Sequence, residues 1–160
     1  MNIIDVEYGN PSYSERANED LVIKRINKIL EKVDTHDVEL SVSFVSDYEI
    51  QALNKEYRNL DSPTDILSFV QSDSRNEEDF WPTMTGEEVE NVLGDMIISL
   101  SALERNCEDF GASFDEELYR LLIHGVLHLI GLDHKTNDFN IEPMLSLQEQ
   151  VLKELMECEF

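Results

Sequence analysis

The stretch His124-Gly125-Val126-Leu127-His128-Leu129-Ile130-Gly131-Leu132-Asp133-His134 places three of the chain's four histidines at intervals of four and six residues, beginning inside an apolar helical run. On a helix, His124 and His128 stand one above the other, about 6 Å apart along the axis. Gly131 supplies the left-handed conformation that ends such a helix and turns the chain back, so that His134 reaches the same point. Three neutral imidazoles then converge with one position left open. That is the catalytic rather than the closed structural arrangement for a single zinc ion. One histidine alone on an apolar helix is ordinarily a satisfied core residue; the spacing of all three is what makes metal ligation the better reading. His36 has no such company and reads as a surface residue.

The same spacing matches the zinc-peptidase pattern His-Glu-x-x-His-x-x-Gly-x-x-His at every position but the second, where Gly125 replaces the glutamate that takes a proton from water. A bound cation can lower the pKa of its water to about 7 without such a base. Hydrolysis therefore stays open, while a peptidase reading weakens. Asp65 and Asp133 are the remaining candidates for a base, or for partners that orient a ligand imidazole.

Read from its start, the chain mixes strands and helices without a continuous alternation. Ile3, Ile4 and Val6 predict a short strand that Gly9-Asn10-Pro11-Ser12 ends with turn chemistry. From Glu19 to Val33, the residues Val22, Ile23, Ile26, Ile29, Leu30 and Val33 recur at helical spacing. The other surface of that helix carries Lys24, Arg25, Lys28 and Lys32, a third of the basic residues. Val38, Leu40, Val42 and Phe44 alternate with polar residues, the pattern of a half-buried strand. Ser46-Asp47-Tyr48-Glu49 has the capping-box form and opens a helix with Ile50, Leu53 and Tyr57 inward and Arg58 at its carboxyl end.

Thr64 to Val70 predicts a third strand, and the acidic segment from Gln71 to Asn91 a long loop around Phe80-Trp81-Pro82. Val92 to Ile98 reads as a strand interrupted by Gly94, where a backbone or ligand approaches closely. A helix then runs to about Phe110 and ends at Gly111. Ser113-Phe114-Asp115-Glu116 repeats the capping-box form and opens the histidine-bearing helix, which is apolar around much of its circumference and so must be buried. A last helix begins near Pro143 with Met144, Leu147, Val151 and Leu155 inward. The expectation is an α+β fold: one domain over residues 1–160, with a small mixed sheet of about four strands, helices covering one face, and a metal-binding helix resembling that of zinc peptidases.

A net charge of −23, from 35 acidic and 12 basic residues, repels bulk nucleic acid. An RNA substrate has to meet a local positive patch, or the metal, against that field. Lys24, Arg25 and Lys28 offer the best such patch, although a solvated helix face is the plainer reading of the same residues. Cys107 and Cys158 form no spacing motif, which argues against disulfides and thiolate ligands and for a reducing cytoplasm. The longest apolar tract, Leu121 to Leu132, is too short for a bilayer, and nothing resembles a signal peptide.

With these residues in view, the chain resembles the YbeY family of bacterial rRNA-maturation endoribonucleases. The family's hallmark, His-Gly-x-Leu-His-Leu-x-Gly-Tyr-Asp-His, is matched by residues 124 to 134, with Leu132 in place of the tyrosine. Leu53-Asn54-x-x-Tyr57-Arg58 and Thr64-Asp65-Ile66-Leu67-Ser68-Phe69 match its upstream blocks, Val70 standing where proline is common. Gly94-Asp95 and the stretch from Met144 to Leu152 also resemble the family. The resemblance implies a zinc-dependent, single-strand-specific endoribonuclease of 16S rRNA 3′-end maturation and 70S ribosome quality control. It implies His124, His128 and His134 as zinc ligands and Arg58 as the functional arginine. A guanidinium fork there suits a phosphodiester, holding its oxygens and stabilising developing charge. Implied partners are single-stranded rRNA and ribosomal particles, with small-subunit ribosomal proteins and an assembly GTPase. Two other readings stay open: a metallopeptidase-like amide hydrolase, and a non-catalytic assembly factor in which the metal organises the fold.

Overall fold

Four strands whose side chains alternate between two faces divide the molecule into a large and a small apolar layer. The computed structural model describes residues 1–71, 92–134, 138 and 141–159. Its elements in order are β1 (Ile3–Tyr8), a 3₁₀ turn (Pro11–Glu15), α1 (Glu19–Lys32), β2 (Glu39–Val45), α2 (Asp47–Arg58), β3 (Ile66–Val70), β4 (Val92–Ser99), α3 (Leu100–Phe110), α4 (Phe114–Leu129) and α5 (Pro143–Glu159). The strands form one sheet in the order β1-β2-β4-β3. β1, β2 and β4 run parallel and β3 pairs antiparallel with β4, so the sheet is mixed, as the irregular strand and helix order predicts. The acidic stretch read as a loop lies, from residue 72 on, outside the described residues.

On one face Leu40, Val42, Phe44, Met96 and Ile98 pack with Val22, Ile26 and Ile29 of α1, Leu118 to Leu129 of α4, and Met144, Val151, Leu152 and Leu155 of α5. Each fully buried leucine or isoleucine contributes about 1.5–3 kcal/mol. On the opposite face Val45, Leu67 and Ile97 meet Ile50 and Leu53 of α2. Helices therefore lie on both faces, where the sequence predicted one, because β2, β3 and β4 carry apolar residues at consecutive positions toward their ends. Tyr57, expected inward, is 59% exposed and only edges onto Phe69, at 5.2 Å between ring centroids.

Gly94 leaves β4 continuous. Its φ is +140°, and a Cβ there would sit 2.0 Å from the Phe69 carbonyl oxygen of β3. The close backbone approach foreseen at this glycine is therefore real. Both helix starts follow their caps, which contribute about 1 kcal/mol each. At α2 the capping box is complete, with the Glu49 amide donating to Ser46 Oγ and the Ser46 amide to Glu49 Oε1, both at 3.1 Å. At α4 only half of it forms: Ser113 Oγ accepts from the Glu116 amide, while the Glu116 carboxylate pairs with Arg120.

Arg25 corrects the basic surface read on α1. It is 2% exposed, with its guanidinium 4.9 Å above the Tyr119 ring centroid and Nη1 3.3 Å from Asp115 Oδ1. Position 25 lies three residues after Val22 and four before Ile29, so helical geometry puts it on the inner face despite its charge. Lys32 pairs with Glu154 at 2.9 Å. Lys24 and Lys28 remain, lining a cleft of about 420 Å³ with Asn2, Asn27, Glu31 and His36. Cys107 and Cys158 are free thiols, and among the described residues no helix is long and apolar enough to cross a membrane.

Candidate metal centre

The end of α4 builds the centre. The Leu132 amide donates to the Leu127 carbonyl at 2.9 Å and the Gly131 amide to the His128 carbonyl at 3.0 Å, with Gly131 at φ +109°. These two bonds are the Schellman closure that a left-handed glycine permits. The turn brings His134 back over the helix, 5.3 Å from His124 and 5.6 Å from His128 between ring centroids, those two being 4.7 Å apart. One nitrogen from each ring lies within 4.8 Å of the others. The sequence placed these three side chains together, and the structure does so.

Hydrogen bonds decide which nitrogens face inward. His124 Nδ1 lies 2.6 Å from Gln148 Oε1, and His128 Nδ1 lies 3.1 Å from the Leu132 carbonyl oxygen. The Gln148 amide nitrogen donates to Glu149 Oε2 at 2.9 Å, and a carboxylate can only accept, so it is the amide oxygen that faces His124. Each Nδ1 thus meets an acceptor and carries the proton, which leaves both Nε2 atoms with bare lone pairs. Those two atoms face each other at 3.1 Å. Two lone pairs at that distance repel unless a cation lies between them, and nitrogens sharing one zinc at about 2.0–2.1 Å stand about 3.3 Å apart. The residues present therefore fit a zinc ion.

Burial holds the His124 pKa below its ordinary value, with the Gln148 bond opposing and His134 adding to the shift. Burial, and then the neighbouring His124, lowers His128 likewise. Both rings are accordingly neutral near pH 7, the form that ligates.

The other predicted residues relate to the three rings in different ways. Asp65 and Asp133 both favour protonation of His124 through their charge, and Asp133 does the same at His128. Asp65 Oδ2 accepts from Asn106 Nδ2 at 3.0 Å. Asp133 Oδ1 accepts the His134 amide at 2.8 Å and lies 3.9 Å from His128 Nδ1, so the carboxylate shapes the turn. Arg58 is the exposed last residue of α2, the helix whose Ile50 and Leu53 pack against β3 and β4. Lys24 and Lys28 lie on α1, in a cleft that none of the three histidines lines.

Gly125 explains why no glutamate follows the first histidine. A Cβ there would lie 2.1 Å from Met96 Sδ and 3.0 Å from Ile66 Cδ1. A side chain at 125 enters the core, not the centre, and the peptidase likeness ends at the histidine spacing. Gln148 and the Leu132 carbonyl were not foreseen. Gln148 left one signal: with Met144, Val151 and Leu155 it sits at three- and four-residue spacing, a lone amide in the buried stripe of α5.

Fold and centre together define a small α+β protein with three histidines placed to hold a metal ion. The chain belongs to the Endoribonuclease YbeY family, whose model matches residues 4–156. It is 40% identical over 134 residues to the Endoribonuclease YbeY of Treponema denticola, covering 84% of this chain and 81% of that protein. It is 37% identical over 154 residues to that of Shouchella clausii, covering 94% of each. Among solved structures, it resembles the solution structure of TM1509 from Thermotoga maritima, with a TM-score of 0.57 and 28% identity over 96% of this chain and 89% of that one.

Proposed function

We propose that this protein is a zinc-dependent endoribonuclease specific for single-stranded RNA, acting in the cytoplasm in 16S rRNA 3′-end maturation and 70S ribosome quality control. The observation that carries the reading is the pair of unprotonated Nε2 atoms of His124 and His128, joined by His134, in a chain of the Endoribonuclease YbeY family. Zinc held there by His124, His128 and His134 would supply a Lewis acid for a phosphate oxygen, or hydroxide at neutral pH.

The remaining work falls to the protein. Arg58, exposed at the carboxyl end of α2, grips phosphate oxygens with its planar fork and stabilises charge as the phosphorane develops. Asp65 on His124, and Asp133 on His124 and His128, keep a negative field at the rings, and these two carboxylates are the candidates for moving a proton. Lys24 and Lys28 give RNA a local foothold against the net charge of −23. Ribosomal particles, small-subunit ribosomal proteins and an assembly GTPase supply the rest of the affinity.

The test is to incubate zinc-loaded protein separately with single-stranded rRNA fragments and with an unfolded protein. RNA cleavage that disappears with chelator and in His128→Ala supports the reading. Cleavage of the protein substrate alone overturns it.

A further inference from the structure

We propose that Gln148 is a positioning residue for the metal centre: its amide oxygen keeps the His124 proton on Nδ1, turning Nε2 to the cation, and a set of ion pairs between α4 and α5 holds the amide the right way round. The inference rests on the metal reading of the histidines and adds a part that ligand spacing does not contain.

An amide can present either end to an imidazole. If its nitrogen faced His124, Nδ1 would accept, the proton would move to Nε2, and the ligating lone pair would be lost. The choice is made one residue further on. Gln148 is 3% exposed, and its nitrogen donates to Glu149 Oε2 at 2.9 Å. Glu149 is itself clamped by Arg120, whose Nε reaches Oε2 at 2.9 Å and whose Nη2 reaches Oε1 at 3.2 Å. Such a two-point grip fixes the carboxylate plane. The other donors of Arg120 go to Glu117 Oε1 at 2.5 Å and Glu116 Oε2 at 3.1 Å. Glu117 is 2% exposed and shares the Asn106 amide with Asp65, at 3.4 and 3.0 Å. A connected path runs from Asp65 through Asn106, Glu117, Arg120, Glu149 and Gln148 to His124.

The ion pairs account for Arg120 and its carboxylates without Gln148. Helical spacing sets residue 148 in the stripe of Met144, Val151 and Leu155, where an apolar side chain would pack without needing partners. The described bonds of the Gln148 side chain go to two places, a metal ligand and the group that orients its own amide. That arrangement is what a support for the ligand requires, and such partners are typically worth about 10–100-fold in metal affinity.

The experiment compares wild type, Gln148→Leu and Gln148→Glu by chelator-competition zinc affinity and by ¹⁵N NMR of the histidine tautomers in the metal-free protein. Wild type should show His124 protonated on Nδ1. Gln148→Leu should bind zinc about 10–100-fold more weakly and lose that single tautomer, with its metal-free melting curve showing that it folds. Gln148→Glu, which keeps an acceptor oxygen, should recover most of the affinity and the Nδ1–H form. A folded Gln148→Leu with wild-type zinc affinity and tautomer overturns the proposal. So does wild-type His124 protonated on Nε2, which decides the matter even if neither variant folds. Absence of zinc binding by the wild type would instead sink the metal reading, and the metal-free NMR separates the two failures.

Discussion

His124 and His128 present unprotonated Nε2 atoms to each other at 3.1 Å, each ring having its proton engaged on the far side. The folded state therefore carries a repulsion that a cation converts into two bonds. Zinc at about 100 times its Kd should stabilise the protein by about 2.7 kcal/mol. For a domain of this size that raises Tm by roughly 5–10 °C. Chelator should reverse the rise in a thermal melt, and His128→Ala should show none of it.

Arg58→Ala should keep zinc affinity while slowing RNA cleavage by about 10²–10³-fold, the usual loss when one donor to a developing charge is removed. Single-turnover rates on a single-stranded fragment, set beside zinc titrations, measure both quantities. Unchanged cleavage removes Arg58 from the site.

The basic residues of α1 should separate by burial. Arg25→Ala should lose roughly 2–3 kcal/mol of stability through packing and the contact with Tyr119, with RNA affinity intact. Lys24→Ala with Lys28→Ala should leave stability nearly unchanged and lower the salt slope of RNA binding by up to about two. Urea denaturation and a salt series of binding curves distinguish them.

Gly125→Ala and Gly94→Ala should both destabilise, the second more. At 125 the new methyl meets the side chain of Met96, which can move, and the helix regains about 1 kcal/mol of propensity against an overpacking cost of about 1–3 kcal/mol. At 94 it meets the Phe69 carbonyl at 2.0 Å with φ at +140°, where neither backbone can yield easily. Chemical denaturation of the two proteins ranks them; Gly94→Ala as stable as Gly125→Ala would mean that β3 is free to shift.

Arg105, and then Ser99, hold the Asp47 carboxyl below its usual pKa. A depressed folded pKa contributes stability above the unfolded value of about 3.9. That contribution is lost as pH falls through the folded pKa. Asp47→Asn should therefore be less stable than wild type at pH 7 and approach it as the medium becomes strongly acidic. Denaturation midpoints across that range read the convergence.

Much of this molecule is legible in its residues because burial follows period. Leu40, Val42 and Phe44 alternate and are buried; Ser46 and Ser113 cap the helices they precede; Gly111 and Gly131 close the helices they follow. The histidine centre was legible because helix geometry alone stacks residues four apart. Arg25 shows where charge and period disagree: its long apolar stem and an aromatic face let a guanidinium occupy an inner position. Gln148 lies 24 residues from the ring it bonds, and the β1-β2-β4-β3 order joins segments far apart in the chain. Neither relation is local, so no short stretch of sequence encodes it.

Helix α4 is sandwiched between the sheet and α5, and α5 follows every histidine ligand in the chain. The surroundings of the centre are therefore completed by a helix that carries none of the three histidines: α4 is fully covered only when Val151 and Leu155 pack on it and Gln148 reaches His124.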